Sequence, residues 1–177
     1  MLVKRSSFVR RVLTPELFDA STSHVIPALL LRLHEAKRED LAEVVLWGDG
    51  TPTREFLYVD DCAEAVVLAA ERYDSSEPLN LASGDEVRIS ELACRIADHV
   101  GYRGRIVWDK TQPNGQRRRR VDGSRAASLV GFRPSVSLDE GIARTYEWMR
   151  RHVVSTSESA DRHARRRNEL SGGRVAG

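Results

Sequence analysis

The chain has 177 residues, with 28 lysines and arginines against 26 aspartates and glutamates and an apolar share of 41%. That length supports one domain that buries about two thirds of its unfolded surface, and a formal charge of +2 gives no global attraction to nucleic acid or to an anionic membrane. No apolar run reaches the ~20 residues of a membrane span, the Arg-rich start MLVKRSSFVRRVL is a poor secretory signal, and Cys62 and Cys94, without CxxC spacing, read as buried free thiols of a soluble cytoplasmic protein.

Residues 1–22 lack clean periodicity and turn grammar, and read as a poorly specified lead-in. From Ser23 the pattern sharpens. Ser23 is a plausible N-cap, Pro27 falls in the first turn where its missing N–H does no harm, and Ile26, Leu29, Leu30 and Leu33 share one face, which predicts a helix to about Arg38. Residues 43–47 and 55–59 are β-branched runs separated by Gly48 and Gly50, and read as two strands joined by a turn. Asp60 or Asp61 then caps a helix with Ala63, Val66, Val67 and Ala70 at helical spacing.

Residues 79–82 read as a brief strand. Ser90 opens a helix with Leu92, Ala93, Ile96, Ala97 and Val100 inward and Gly101 as its permissive terminator. Residues 105–108 read as the next strand, followed by a polar stretch, 109–120, that holds Pro113-Asn114-Gly115 and four consecutive arginines. A short helix over 124–130 ends at Gly131, and Ser137 with Glu140 forms an S-x-x-E capping box for a last helix that packs Ile142, Tyr146 and Trp148 or Met149. Residues 153–177 are almost without aliphatics and read as a disordered tail, leaving an α/β domain over 23–152.

Few residues suggest chemistry. His24 carries a group that titrates near about 6.5 and so suits proton transfer at neutral pH. Arg32 lies slightly over two helical turns further on and offers a planar fork for a phosphate. Trp47 stands before Gly48-Asp49-Gly50, where backbone can come close to a ligand, and Arg54 follows within reach, an arrangement suited to a sugar or base stacked on a ring beside a cation. Read one at a time, each has a bland alternative: a surface histidine, a solvated helix face, a core tryptophan in a hairpin, and a solvated loop for residues 117–120.

Read together, the segments SHVIPALL, WGDGTPTREFLYVDDCAEA and ISELACRIADHVGYRGRIVWD, the Pro-Asn-Gly turn, D-x-S-R at 122–125 and SLDEGIARTYEW closely resemble GDP-L-fucose synthases. These are extended short-chain dehydrogenases/reductases of the NAD-dependent epimerase/dehydratase family, and the resemblance covers residues 18–152. It implies the C-terminal substrate-binding part of such a fold, an incomplete Rossmann-type α/β unit, and a GDP-sugar as partner. The family epimerises and reduces GDP-4-keto-6-deoxy-D-mannose with NADPH. On that resemblance His24 matches the histidine that acts as acid/base in epimerisation, while Arg32, Trp47 and Arg54 match positions that bind the GDP-sugar. Asn114 stands where the family usually has Asp in a PDG turn, and Arg119 where it usually has lysine. The first change removes a carboxylate acceptor; the second keeps positive charge beside the diphosphate.

NADP is implied as cofactor by the resemblance alone, and this chain is not expected to bind it unaided. There is no GxxGxxG, and Tyr58, Tyr73, Tyr102 and Tyr146 are followed four places on by Cys62, Glu77, Ile106 and Arg150, so no Tyr-x-x-x-Lys pair is present. The expectation is a GDP-L-fucose synthase-like substrate-binding fragment, inactive alone. The alternatives are a non-catalytic module that binds GDP-sugar or pairs with a separately encoded Rossmann half, and a gene remnant of a nucleotide-sugar epimerase.

Overall fold

A computed structural model of the chain describes residues 24–154. Helix α1 (Val25–Arg38) buries Leu29, Leu30, Leu33 and Ala36, and β1 (Glu43–Trp47) alternates exposed and buried residues so that Val44 and Leu46 meet that stripe. Strand β4 (Arg105–Asp109) pairs with β1 in parallel, with Trp47 opposite Asp109. Between them in sequence, helix α3 (Ile89–Val100) packs on α1 through Leu92, Ala93, Ile96, Ala97 and Val100, and Gly101 takes the left-handed conformation at its end, φ 76°. Fully buried Leu92 and Ile96 each contribute about 1.5–3 kcal/mol by leaving water. Lys37 Nζ donates to Val100 O at 2.7 Å, tying the end of α1 to the end of α3. Helix α5 (Leu138–Met149) closes the same core with Ile142 and Met149, and a π-helical turn (Arg150–Val154) follows. Val153 and Val154, expected in the tail, pack on this core; the lead-in and the rest of the tail lie outside the described residues.

A second, three-stranded sheet is built from very short elements. Its order is β3 (Glu86–Arg88), β2 (Thr53–Glu55), β5 (Arg118–Arg119), with β2 antiparallel to β3 and parallel to β5. This corrects three expectations. The runs at 43–47 and 55–59 do not form a hairpin, because each pairs with a segment distant in sequence and the second strand ends at Glu55. Residues 79–82 form no strand; Leu79 and Leu81 instead pack on a small cluster of Ala65, Ala126, Val130 and Phe132. The expected polar loop contains β5.

Helix α2 (Val59–Arg72) also departs from expectation. Tyr58 is its N-cap, so Asp60 and Asp61 lie inside the first turn. Asp61 is 2% exposed, and its carboxylate accepts from Ser135 N at 3.1 Å, Ser135 Oγ at 2.8 Å and Val136 N at 3.0 Å. That bond set, not a cap, accounts for the residue. The buried stripe therefore runs through Asp61 and Ala65, while Ala63, Val66, Val67 and Ala70 are exposed. Helix α4 (Ser124–Leu129) packs Ala126 against Ala65 in the small cluster.

At the start of α5, Ser137 Oγ accepts from Glu140 N at 3.2 Å, one half of the expected capping box. The Glu140 carboxylate turns instead to Arg144, whose guanidinium also lies 5.5 Å over the Tyr58 ring. The described helix α1 is capped by His24, without a side-chain hydrogen bond. Cys62 is half-buried, and burial raises its thiol pKa; Cys94 is exposed, correcting the expectation that both thiols are interior. Among the described residues no helix is long and apolar enough to cross a membrane.

Candidate functional site

Two loops leave the C-terminal ends of the parallel strands β1 and β4, the end at which open α/β sheets place ligands. After Trp47 the chain reverses through Gly48 and Gly50, at φ 84° and 72°. Asp49 stabilises the turn by accepting from Thr51 N at 2.9 Å and Thr51 Oγ1 at 2.7 Å, bonds that hold its carboxyl below the ordinary range. The loop after β4 uses the same device: Asp109 accepts from Thr111 N at 3.0 Å and Thr111 Oγ1 at 2.6 Å, again with a lowered pKa. Hydrogen bonds from Ile89 N to Pro52 O and from Ser90 N to Gly50 O, each 2.9 Å, seat the first loop on the start of α3.

The loops meet at Asn114. Its Oδ1 accepts from Asp49 N at 2.8 Å. Beyond it, Thr53 N donates to Arg117 O at 3.0 Å and opens the pairing of β2 with β5, in which Arg54 lies beside Arg119. Neighbouring residues of a strand point to opposite faces, so the arginine run divides. Arg118 lies on the Glu86 face and donates to that carboxylate through Nε and Nη2, both at 2.8 Å. These bonds, with another from Thr53 Oγ1, bring the Glu86 pKa down to about 2. Arg119 points the other way, on the face of Arg54. The Arg54 guanidinium donates to Thr53 O at 2.7 Å and extends toward Gly115, where a β-carbon would lie 3.9 Å from Nη2.

Trp47, Arg54, Asn114 and Arg119 thus belong to one structural neighbourhood built by the two loops and the β2–β5 pair. Trp47 is 67% exposed, which removes the reading of a core tryptophan. His24 and Arg32 lie on α1, both exposed, and neither makes a hydrogen bond or ion pair with the Trp47 to Arg119 group. Two open depressions of about 440 and 420 Å³ lie elsewhere, along α5 and between α1, α3 and α5, and contain none of the six candidate residues. At the sheet end Trp47, Asn114 and Arg119 are exposed and Arg54 is half-buried.

Sequence reasoning passed over the carboxylates that organise this surface. Glu55 accepts from Gly84 N at 3.0 Å and from Val121 N at 3.1 Å, fastening the two flanks of β2. The signal available for the loop acids was the repeated Asp-x-Thr at 49–51 and 109–111, each just at a strand end. Among the described residues no group of three or more His, Cys, Asp or Glu is placed to hold a metal. The glycine turn after β1 is not the strand–turn–helix that seats a dinucleotide pyrophosphate. It leads into β2 instead of a helix, and the N-caps of α1, α2 and α3 are His24, Tyr58 and Arg88.

Residues 11–82 match the model of the NAD dependent epimerase/dehydratase family. Putative GDP-L-fucose synthase 2 of Arabidopsis thaliana is 47% identical over 141 residues, 80% of this chain and 43% of that protein. The GDP-L-fucose synthase of Escherichia coli (strain K12) is 45% identical over 140 residues, 74% of this chain and 43% of that protein. Among solved structures, a GDP-L-fucose synthetase from Naegleria fowleri superposes with a TM-score of 0.71 at 27% identity, over 76% of this chain and 42% of that one. The same protein bound to NADP gives 0.69 at 27% identity, over 75% and 41%. The chain spans about two fifths of the length of these relatives. Over residues 11–82 the chain matches the NAD dependent epimerase/dehydratase family, and over most of its residues it is similar to GDP-L-fucose synthases.

Proposed function

We propose that this chain is a GDP-sugar recognition unit of the GDP-L-fucose synthase kind, which holds the nucleotide sugar but does not by itself transfer hydride. The observation that carries the reading is the juxtaposition of Arg54 and Arg119, Cα partners across the β2–β5 pair, beside the loop that exposes Trp47. Two guanidiniums on one face suit a diphosphate, which each can meet with paired N–H donors, and an exposed indole suits a base or sugar ring. Asn114 borders the same surface. Arg118 pairs with Glu86, and Arg119 is the arginine of β5 on the face of Arg54. Arg32 adds a cation from α1, and His24 is the acid/base, able to donate a proton to an enediolate carbon after the α-proton has left. NADP is bound in a solved relative, and the residues described here contribute recognition and one proton-transfer group.

Calorimetry of the whole chain with GDP-mannose tests the reading. Binding with about 1:1 stoichiometry, lost in the double variant Arg54→Ala/Arg119→Ala, is the expected result; no heat at millimolar ligand with the protein folded would sink it. Reproducible NADPH oxidation by the chain with the keto-sugar nucleotide would overturn the second half of the proposal.

One observation favours a partner-dependent form of the same function. Among the described residues β1 pairs with β4 alone, and Val45 and Trp47 on its outward face are 42% and 67% exposed. Parallel strands are ordinarily covered on both faces, and an unpaired edge invites another strand. A separately produced Rossmann half of a GDP-L-fucose synthase should then co-migrate with this chain in size-exclusion chromatography. Elution as two independent species would exclude the pairing.

A further inference from the structure

We infer that Asn114 is a positioning residue, whose side-chain carbonyl pins the turn that carries Trp47. Three observations converge on it. Asn114 Oδ1 receives the Asp49 N–H at 2.8 Å across 65 residues of sequence. A β-carbon on Gly48 would sit 2.3 Å from that oxygen, and the three atoms nearest such a carbon all belong to Asn114. The glycine is thus the residue that lets the amide come close. Finally, Asp49 is committed on its other side to Thr51, so the Asn114 bond joins an already closed Asp-x-Thr turn to the loop after β4.

The amide orientation follows from the donor. A backbone N–H needs an acceptor, so the oxygen must face the Asp49 amide. The contact lies two residues after Trp47 and one residue before Gly115, which approaches the Arg54 guanidinium. A single side chain therefore fixes the spacing between the ring and the cations. The requirement at position 114 is an acceptor of this length, which a carboxylate also meets, so a replacement of Asn by Asp retains the pin. The consequence for ligand binding rests on the GDP-sugar reading above, whereas the pinning itself does not.

Amide exchange in the full chain, followed by NMR, reads the pin directly. The Asp49 amide should exchange about tenfold faster in Asn114→Ala than in the unmodified protein, as expected for loss of one hydrogen bond. It should stay within about threefold in Asn114→Asp, where the acceptor survives. The Gly101 amide, bonded to Ala97 O in the α3 cap, serves as the control for global folding. Unchanged exchange at Asp49 in Asn114→Ala, or equal loss of protection in both variants, overturns the inference. With GDP-mannose, Asn114→Ala should weaken binding severalfold, and Asn114→Asp should restore most of it. If the unmodified chain binds no GDP-mannose, the functional reading fails while the exchange result still decides the pin.

Discussion

Replacing Gly48 by alanine combines two costs that a second glycine separates. Gly48 and Gly84 have nearly the same backbone, φ 84° and 85°, but a β-carbon at Gly84 would have no neighbour within 4 Å, while at Gly48 it would press on Asn114 Oδ1 at 2.3 Å. The left-handed conformation costs alanine about 1–2 kcal/mol, offset by about 0.4–1 kcal/mol from the stiffer unfolded chain. Gly84→Ala should therefore destabilise by about 1 kcal/mol. Gly48→Ala bears that cost and must also drive the Asn114 oxygen back by about 1 Å to reach an ordinary C···O separation of about 3.3 Å. That movement breaks the bond to Asp49 N, which adds about 1 kcal/mol. Urea unfolding should show the excess as a midpoint shift of about 0.5 M between the two variants, given a slope near 2 kcal/mol/M. In an Asn114→Ala background the excess should disappear, since the obstructing oxygen and its bond are already gone. Equal midpoints for Gly48→Ala and Gly84→Ala, or an excess that persists undiminished without Asn114, would refute the reasoning.

Asp61→Ala leaves three donors of the 135–136 segment without their acceptor and should cost about 2–3 kcal/mol in urea unfolding, while Asp61→Asn, which keeps one carbonyl oxygen, should lose less. Glu86 titrates at about 2 in the folded chain against an ordinary 4.5, so its stabilising effect is complete above the ordinary value and is lost as pH falls toward 2. Thermal melts from pH 5 to 2 should show a shallower loss of stability in Glu86→Gln than in the unmodified protein; parallel curves would contradict the Arg118–Glu86 assignment. Trp47→Ala should leave the unfolding midpoint nearly unchanged, within about 0.5 kcal/mol, because the ring is 67% exposed. The same variant should lose GDP-mannose affinity in calorimetry if the indole is the ring platform.

Long elements with a dense apolar stripe were legible in the sequence. The stripes of α1 and α3 and the alternation of β1 each contain enough large aliphatics to decide which face is buried, and Gly101 ends α3 as its conformational freedom suggests. α2 was misread for the opposite reason. Two of its large apolar residues, Val66 and Val67, stay outward, Leu68 is only half-buried, and its fully buried positions are an alanine and an aspartate whose carboxylate finds its hydrogen-bond partners more than 70 residues away. Nothing local announces that an acid is interior. The three-stranded sheet was equally hidden, because strands of two or three residues carry no period; hydrogen bonds accepted by the Glu86 and Glu55 carboxylates help hold them, and those appear only once distant segments meet. Of the candidate site, residue types were readable and their grouping was not: four of the six meet at the sheet end, and His24 and Arg32 remain on α1.

The four arginines of residues 117–120 show how such a grouping resolves an ambiguity that composition cannot. As a run they look like a uniform cationic loop, attractive to any anion. Once Thr53 N bonds Arg117 O and Arg54 takes Arg119 as its partner, the period of two assigns Arg118 to the face of Glu86. One charge is then paired with Glu86 across the sheet, and its neighbour is turned toward the face of Arg54. Arg118→Gln should therefore mimic Glu86→Gln, flattening the acid limb of the stability profile while sparing GDP-mannose affinity. Arg119→Gln should instead weaken GDP-mannose affinity while leaving the acid limb set by Arg118 and Glu86 in place. The same response from both variants would mean that the run acts as a diffuse charge and that the strand pairing does not sort it.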